Sequence, residues 1–450
     1  MDIHQTLEAQ RRFFREGRTL DAEFRVGALA ALYEAIIASE RDVLDALYAD
    51  TGKSPGEAYM SEVGLVLEAI SFTRKRLKRW MKPRRVLTPL YLLPGRSRIY
   101  YEPYGCALIM APWNYPFHLA LMPVISAVAA GNCVLLKPSS RTPATMTALK
   151  AIMARAFETE HAAVLSGNAS AGEKALEERF DFILYTGSAK VGKQVLLAAA
   201  RDLTPVCLEL GGKSPAIVLP DADLQKAARS IAWGKQMNAG QTCVAPDYVL
   251  AHADIKGELE RLLRREFERF PGPDAVNCPD YARIISPEAM DRLLALAPQA
   301  EANRETMRMA PLVLPAALPD DPVMREEIFG PILPVLPFTS DEQAVSFVRE
   351  REKPLACYLF TQSEGRAQHI LRRLSFGGGC VNDTMLHMSS PGLPFGGVGR
   401  SGMGRYHGLE GFKTFSNTKG VLHKGRLFDL PMRYPPYSGR TLSLLRRILR

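Results

Sequence analysis

Short apolar runs alternate with longer segments of helical spacing through most of the chain. From residue 106, CALIMA reads as a strand and FHLALMPVISAVAA as a helix. CVLLK is the next strand and TPATMTALKAIMARAF the next helix. AAVLSG and FDFILYTG follow as strands, SAKVGKQVLLAAA as a helix, and TPVCLELGG as a strand again. These strands are apolar almost throughout, the pattern of strands buried on both faces. Strand–helix alternation of this kind predicts an α/β fold with a parallel, doubly wound sheet. A second alternating region runs from about 214 to 385. Ahead of both, residues 1–50 read as long helices, with Ala28, Leu29, Leu32 and Ile36, then Leu44 and Leu47, at helical spacing. Residues 86–105, VLTPLYLLPGRSRIYYEPYG, are β-rich with Pro and Gly punctuation, as in an arm that leaves a domain and returns.

Leu119 to Leu136 carries no charge over 18 residues, enough for hydropathy alone to nominate a membrane span. Pro123 and the Gly131-Asn132 pair argue for a buried helix to about Ala130, a turn, and a buried strand Cys133–Leu136.

Composition narrows the class without naming a chemistry. At 450 residues, 47% hydrophobic and 23% charged, the chain is long enough for two or three domains with sizeable cores. Disordered, collagenous and small disulfide-rich classes are excluded. The net charge of +9 is unevenly placed. Residues 71–100 hold ten Lys/Arg and no acid, and residues 400–450 hold eleven against two. The remainder is acidic, so the excess marks local surface patches and not a nucleic-acid binder. No stacking aromatics interleave the basic runs. Seven widely spaced cysteines without a C-x-x-C pair fit a reducing, cytoplasmic compartment and give no zinc site. The eight histidines show no ligand spacing either, so no metal is expected. The N-terminus, polar and charged from the start, lacks the apolar core of a signal peptide.

Two motifs are decoys. Gly397-Val398-Gly399-Arg400-Ser401-Gly402 spells G-x-G-x-x-G, but too little chain follows for a βαβ unit with its acid. Gly212-Lys213-Ser214 resembles the end of a P-loop, but Cys207 stands where the first glycine is required.

Four other places could carry chemistry. Cys243 in GQTCVAP lies in a small, polar, turn-like setting, suited to an accessible thiol with a lowered pKa. For any single cysteine, an inert core role is the commoner one. Glu209 ends a buried strand beside Gly211 and Gly212, where open α/β sheets hold ligands. Partial desolvation there would raise its pKa and suit it to act as a base. A paired structural glutamate is an equal reading. Asn114, in the turn PWNYP after a strand, could donate an N–H to an oxyanion. Gly187-Ser188 opens a helix whose N-terminal amides would attract phosphate.

Taken in order, APWNYPF, KPS, YTGSAKVG, LELGGKSP, GQTCVAPDY, EEIFGP and LPFGGVGRSGMG resemble the aldehyde dehydrogenase superfamily over about residues 20–420. APWNYPF, GQTCVAPDY, LPFGGVGRSGMGRYHG and RYPPY are similar to its class 3 type, the branch that also holds coniferyl-aldehyde-type enzymes. The resemblance implies a Rossmann-like dinucleotide domain (1–82 and 104–210) and an α/β catalytic domain (211–395). It also implies an oligomerisation arm (83–103 and 396–430), a basic tail (431–450) and a homodimer. It implies Cys243 as nucleophile, Glu209 as general base and Asn114 as oxyanion donor. Gly187 and Ser188 would meet the pyrophosphate, Lys137 the adenine-side ribose, and Glu327 and Phe329 the nicotinamide ribose. Trp113, Ser139, Ser140, Gly192, Leu210 and Gly211 complete the expected cofactor site. The reaction implied is NAD(P)-dependent oxidation of an aldehyde to its acid through a cysteine thiohemiacetal and thioester.

One departure concerns the cofactor. The superfamily often reads K-P-S-E, whereas this chain reads Lys137-Pro138-Ser139-Ser140-Arg141. Without a carboxylate at 140, repulsion of a 2′-phosphate is lost, so NADP should be accepted beside NAD. Class 3 resemblance implies aromatic or medium-to-long aliphatic aldehydes, with Met60, Tyr115, Trp233, Met237 and Met388 as candidates for an apolar pocket. A CoA-acylating enzyme or a catalytically silent homologue is the alternative, against which Glu209, Cys243 and Asn114 stand intact. The tail TLSLLRRILR could lie weakly on an anionic membrane surface or pack near the pocket mouth as a solvated helix.

Overall fold

The computed structural model describes residues 2–425 and 433–449. Arg426 to Met432 and Arg450, parts of the expected arm and tail, lie outside the described residues. The stretch before residue 50 is helical as expected, and the helices continue to residue 80, in Ile3–Arg15, Ala22–Ala38, Glu40–Thr51 and Gly64–Trp80. Two of these begin on aspartate caps: Asp2 accepts from the amide of Gln5, and Asp21 from that of Phe24.

Two six-stranded sheets form the body. The first runs, in spatial order, Gly402–Met403, Val206–Glu209, Phe182–Thr186, Cys106–Met110, Cys133–Lys137 and Ala162–Val164. All neighbours are parallel except the first pair. The second runs Leu312–Leu314, Ile332–Phe338, Tyr248–His252, Pro215–Val218, Ala356–Phe360 and Gly378–Val381, parallel throughout.

The uncharged stretch 119–136 is core. The helix His118–Ala130 is buried at every position, because it packs between the first sheet and the helices Gly64–Trp80 and Ala22–Ala38. It stops at Gly131, whose φ of +95° a side chain would resist. Asn132 then locks the turn: its Oδ1 accepts from Gly105 N, and its Nδ2 donates to the carbonyls of Ala127 and Phe415. Among the described residues, no helix is long and apolar enough to cross a membrane.

Three differences from the sequence reading have local causes. TPVCLELGG is strand only over Val206–Glu209, since the chain must leave the sheet where the two glycines begin. A short helix, Ala169–Ala175, intervenes between two strands where none was expected. The segment 396–430 divides. Only Ser416–Lys424 joins a separate three-stranded antiparallel sheet, pairing with Gly95–Pro103, whose other edge carries Arg84–Val86. Gly402–Met403 instead edges the first sheet, because Gly402 approaches the backbone so closely that a Cβ would lie 2.6 Å from the carbonyl oxygen of Leu208.

Candidate active site

The Cys243 thiol and the Asn114 amide sit on loops that are tied to each other. The loop carrying Cys243 starts with Asn238 and Ala239, both left-handed at φ +51° and +50°. Asn238 is held there because its N–H donates to Glu57 at 2.6 Å and its side-chain amide donates to the carbonyls of Asn114 and Gln241. Asn114 is buried, and its Nδ2 donates to Gln241 O at 3.1 Å. The hydroxyls of Tyr115 and Thr242 lie 2.7 Å apart.

Cys243 is half-buried and faces a cleft of about 470 Å³ between the C-terminal strand ends of the first sheet and the N-terminal strand ends of the second. Its thiol differs from the sequence expectation. Burial, then the carboxyls of Glu327 and Glu209, push it well up, and the amides of Cys243 and Val244 only partly offset this. The free chain therefore holds a protonated thiol, where the turn-like sequence suggested a lowered pKa.

Glu209 is buried at the end of its strand. One oxygen accepts weakly from Cys207 Sγ at 3.7 Å, and the other has no partner among the described residues. Burial pushes its carboxyl well above the usual range, despite Cys207 and Arg405. Glu327, half-buried, leans onto the turn after Glu209. A Cβ at Gly211 would stand 1.9 Å from its Oε2, so only glycine admits the carboxyl. Burial first, and the charge of Asp247 second, push Glu327 up to about 8.

The cleft gathers Trp113, Asn114, Gly187, Ser188, Glu209, Leu210, Gly211, Cys243, Glu327 and Phe329 from positions scattered through the chain. Phe329, at φ +49°, meets Trp113 edge-on with ring centroids 5.4 Å apart. Lys137, Ser139, Ser140 and Gly192 are not among its lining residues. Lys137 is buried, and its Nζ donates to Pro138 O at 2.7 Å. Ser139 Oγ accepts from the amide of Arg141, while Ser140 and Arg141 are exposed. Gly192 serves packing: a Cβ there would meet Leu210 at 2.8 Å.

The cleft fits a dinucleotide on its own features. Ser188 caps the helix Ala189–Ala200, whose first amides open toward the cleft. A Cβ at Gly187 would stand 2.3 Å from the Tyr185 hydroxyl, so the approach to those amides stays bare. Glu209 and Glu327 each leave a buried carboxyl oxygen without a partner among the described residues, in the same cleft.

A smaller cavity of about 80 Å³ is lined by Met60, Leu65, Tyr115, Trp233, Met237, Met385 and Met388, among others. All five residues suggested for an apolar pocket meet there. Tyr115 links this cavity to Thr242, next to the thiol.

Sequence reasoning did not single out Lys53, Glu62 and Asn238, which reach the Asn114 turn from other elements. A lysine and a glutamate flanking the small-residue run after Gly52 carry no motif. Their one signal is a charge on segments that otherwise pack inward.

A thiol, a buried carboxyl and a side-chain amide at the C-terminal edge of a nucleotide-binding sheet define a dinucleotide-dependent α/β oxidoreductase. Comparison with known proteins names the class further. The model of the aldehyde dehydrogenase family matches residues 1–421, and the chain belongs to that family: it oxidises aldehydes with NAD or NADP. It is 42% identical over 446 residues to 4,4'-diaponeurosporen-aldehyde dehydrogenase of Staphylococcus aureus, covering 97% of each protein. It is 40% identical to the dimeric, NADP-preferring aldehyde dehydrogenase of Rattus norvegicus, covering 96% of this chain and 98% of that one. A solved structure of the substrate-bound state of Staphylococcus aureus AldH superposes with a TM-score of 0.96 at 41% identity, over 100% of both chains.

Proposed function

We propose that Cys243 is the nucleophile, Asn114 the oxyanion donor and Glu209 the general base, and that the substrate is an aromatic or medium-to-long aliphatic aldehyde. The apolar cavity beside the thiol loop carries this reading. Methionines and aromatics line it, with Met60 and Leu386 exposed at its rim. Such a wall accepts greasy chains of varied shape.

Once its proton has passed to solvent, the Cys243 thiolate adds through Sγ to the aldehyde carbon, the C=O π pair moves to oxygen, and the resulting oxyanion lies against Asn114 and a backbone amide. One N–H of the Asn114 amide is spent on Gln241 O, which orients the second toward the oxyanion. A single donor of this kind contributes roughly 3–4 kcal/mol to the transition state. NAD(P), held by Trp113, Gly187, Ser188, Glu327 and Phe329, would supply the two-electron hydride acceptor needed to turn the thiohemiacetal into the thioester. Glu209 then takes a proton from the water that opens the thioester. A water-activating carboxyl favours the free acid as product over an acyl-CoA.

NADP use beside NAD is supported by Ser140 and Arg141, which leave no carboxylate at that exposed corner. The relative from rat is described as NADP-preferring and dimeric. A homodimer through the three-stranded arm is supported by the exposure of Leu87 and Leu90 on it. The helix Gly439–Ile448 buries none of its residues, which supports weak contact with an anionic membrane surface. Seven free cysteines are in keeping with a cytoplasmic site of action.

A screen of aromatic, aliphatic and semialdehyde substrates with both cofactors, read by NAD(P)H absorbance, tests the substrate class. The expected result is highest kcat/KM for aromatic and long aliphatic aldehydes, with NADP within about 100-fold of NAD, roughly 2.7 kcal/mol. Preference for short polar aldehydes would overturn it, and acyl-CoA as the product would favour the acylating alternative.

A further inference from the structure

We infer that the buried ion pair Lys53–Glu62 is the positioning device of the Asn114 turn, an inference that rests on Asn114 as oxyanion donor. Both side chains are fully shielded, with Nζ and Oε1 2.6 Å apart. Neither lines the cleft, so neither touches substrate or cofactor.

Their remaining contacts converge on one short piece of backbone. Lys53 Nζ donates to the carbonyl oxygen of Asn114 at 2.9 Å and lies 3.9 Å from the centre of the Tyr115 ring. The second oxygen of Glu62 accepts from the amides of Phe117 and His118, at 2.8 and 3.2 Å. Those amides open the helix His118–Ala130, whose N-cap, Phe117, makes no side-chain cap of its own. They are the donors a helix start leaves unsatisfied, and a carboxylate there also meets the positive end of the helix dipole. One ion pair thus holds two amides at one end of the turn 114–118 and, jointly with Asn238 Nδ2, the carbonyl at the other.

A fully buried ion pair is a poor way to gain stability, since apolar residues of similar volume serve as well. Its value here is geometric. Turning the peptide that follows Asn114 would break the Lys53 bond, so the pair restrains the backbone from which the Asn114 amide projects. A displacement of about 1 Å at such a group costs on the order of 100-fold in rate.

The experiment is a rapid-mixing measurement of the NAD(P)H burst, which reports formation of the thioester. Wild type, Asn114→Ala, Lys53→Met and the double variant are compared, with near-UV circular dichroism to confirm the fold. Lys53→Met is expected to slow the burst about 10–100-fold in the wild-type background. In the Asn114→Ala background the same change should slow it by about 2-fold or less, because the group being positioned is gone. A merely structural role would slow both backgrounds alike, and that result, or no slowing at all, overturns the inference. Should Lys53→Met not fold, Lys53→Met/Glu62→Gln leaves no lone buried charge and carries the same comparison. If Asn114→Ala leaves the burst untouched, the oxyanion reading itself fails, and this inference with it.

Discussion

Cys243 and Glu209 face the same cleft, yet neither is ready for its proposed role when the chain is alone. The thiol is pushed up by burial and by two carboxyls. The Glu209 carboxyl is pushed up by burial. The sign of the second effect is testable. A carboxyl with a raised pKa is protonated at low pH and becomes a base as pH rises. Turnover limited by thioester hydrolysis should therefore climb as pH rises past the ordinary carboxylate range, with its midpoint well above that of a free glutamate. Glu209→Gln should release one burst of NAD(P)H and then stall, with the rising limb gone; an unchanged steady-state rate would remove Glu209 from the role. Cys243→Ala should abolish oxidation altogether. These residues were legible in the sequence because each sits in a short motif at a strand end or turn. Lys53 and Glu62 were not, since their meaning depends on which backbone they touch 55 or more residues away.

At the scale of elements, the arm is the least self-sufficient part of the fold. Gly95–Pro103 and Ser416–Lys424 pair along their whole length, and Arg84–Val86 adds a short edge. Around them Leu87 is 96% exposed and Leu90 85%. Exposed leucines beside an unpaired strand edge are a surface that a second copy would cover. Leu87→Asp/Leu90→Asp should convert a dimer into monomers, measured by light scattering on a sizing column. A wild-type chain that is monomeric at micromolar concentration would remove the arm as the dimer contact. The β-rich composition of 86–105 announced this element, and the alternation of strands and helices announced both sheets. The division of 396–430 could not be read, because Gly402–Met403 pairs with a strand almost two hundred residues earlier.

For the whole molecule, the charge of +9 acquires a place. The register of the arm sets Arg96 opposite His423 and Arg98 opposite Val421, so the two basic stretches meet on one sheet. The exposed helix Gly439–Ile448 carries Leu442, Leu444 and Ile448 beside Arg446 and Arg447. Its proposed membrane contact predicts that anionic vesicles pellet the full chain more than a chain lacking 436–450, with neutral vesicles pelleting neither. Equal pelleting would dismiss it. The amino-acid sequence by itself determined the two alternating sheets, the buried helix that mimics a membrane span, and the residues proposed for the chemistry. Those signals are local: period, turn chemistry and short motifs. Only the tertiary structure decided which of the distant residues share the cleft with Cys243. It alone raised the thiol where the sequence suggested lowering it, and brought Lys53 and Glu62 to the Asn114 turn. A pKa and a positioning contact depend on which distant groups share a desolvated space, and no stretch of sequence encodes that by itself.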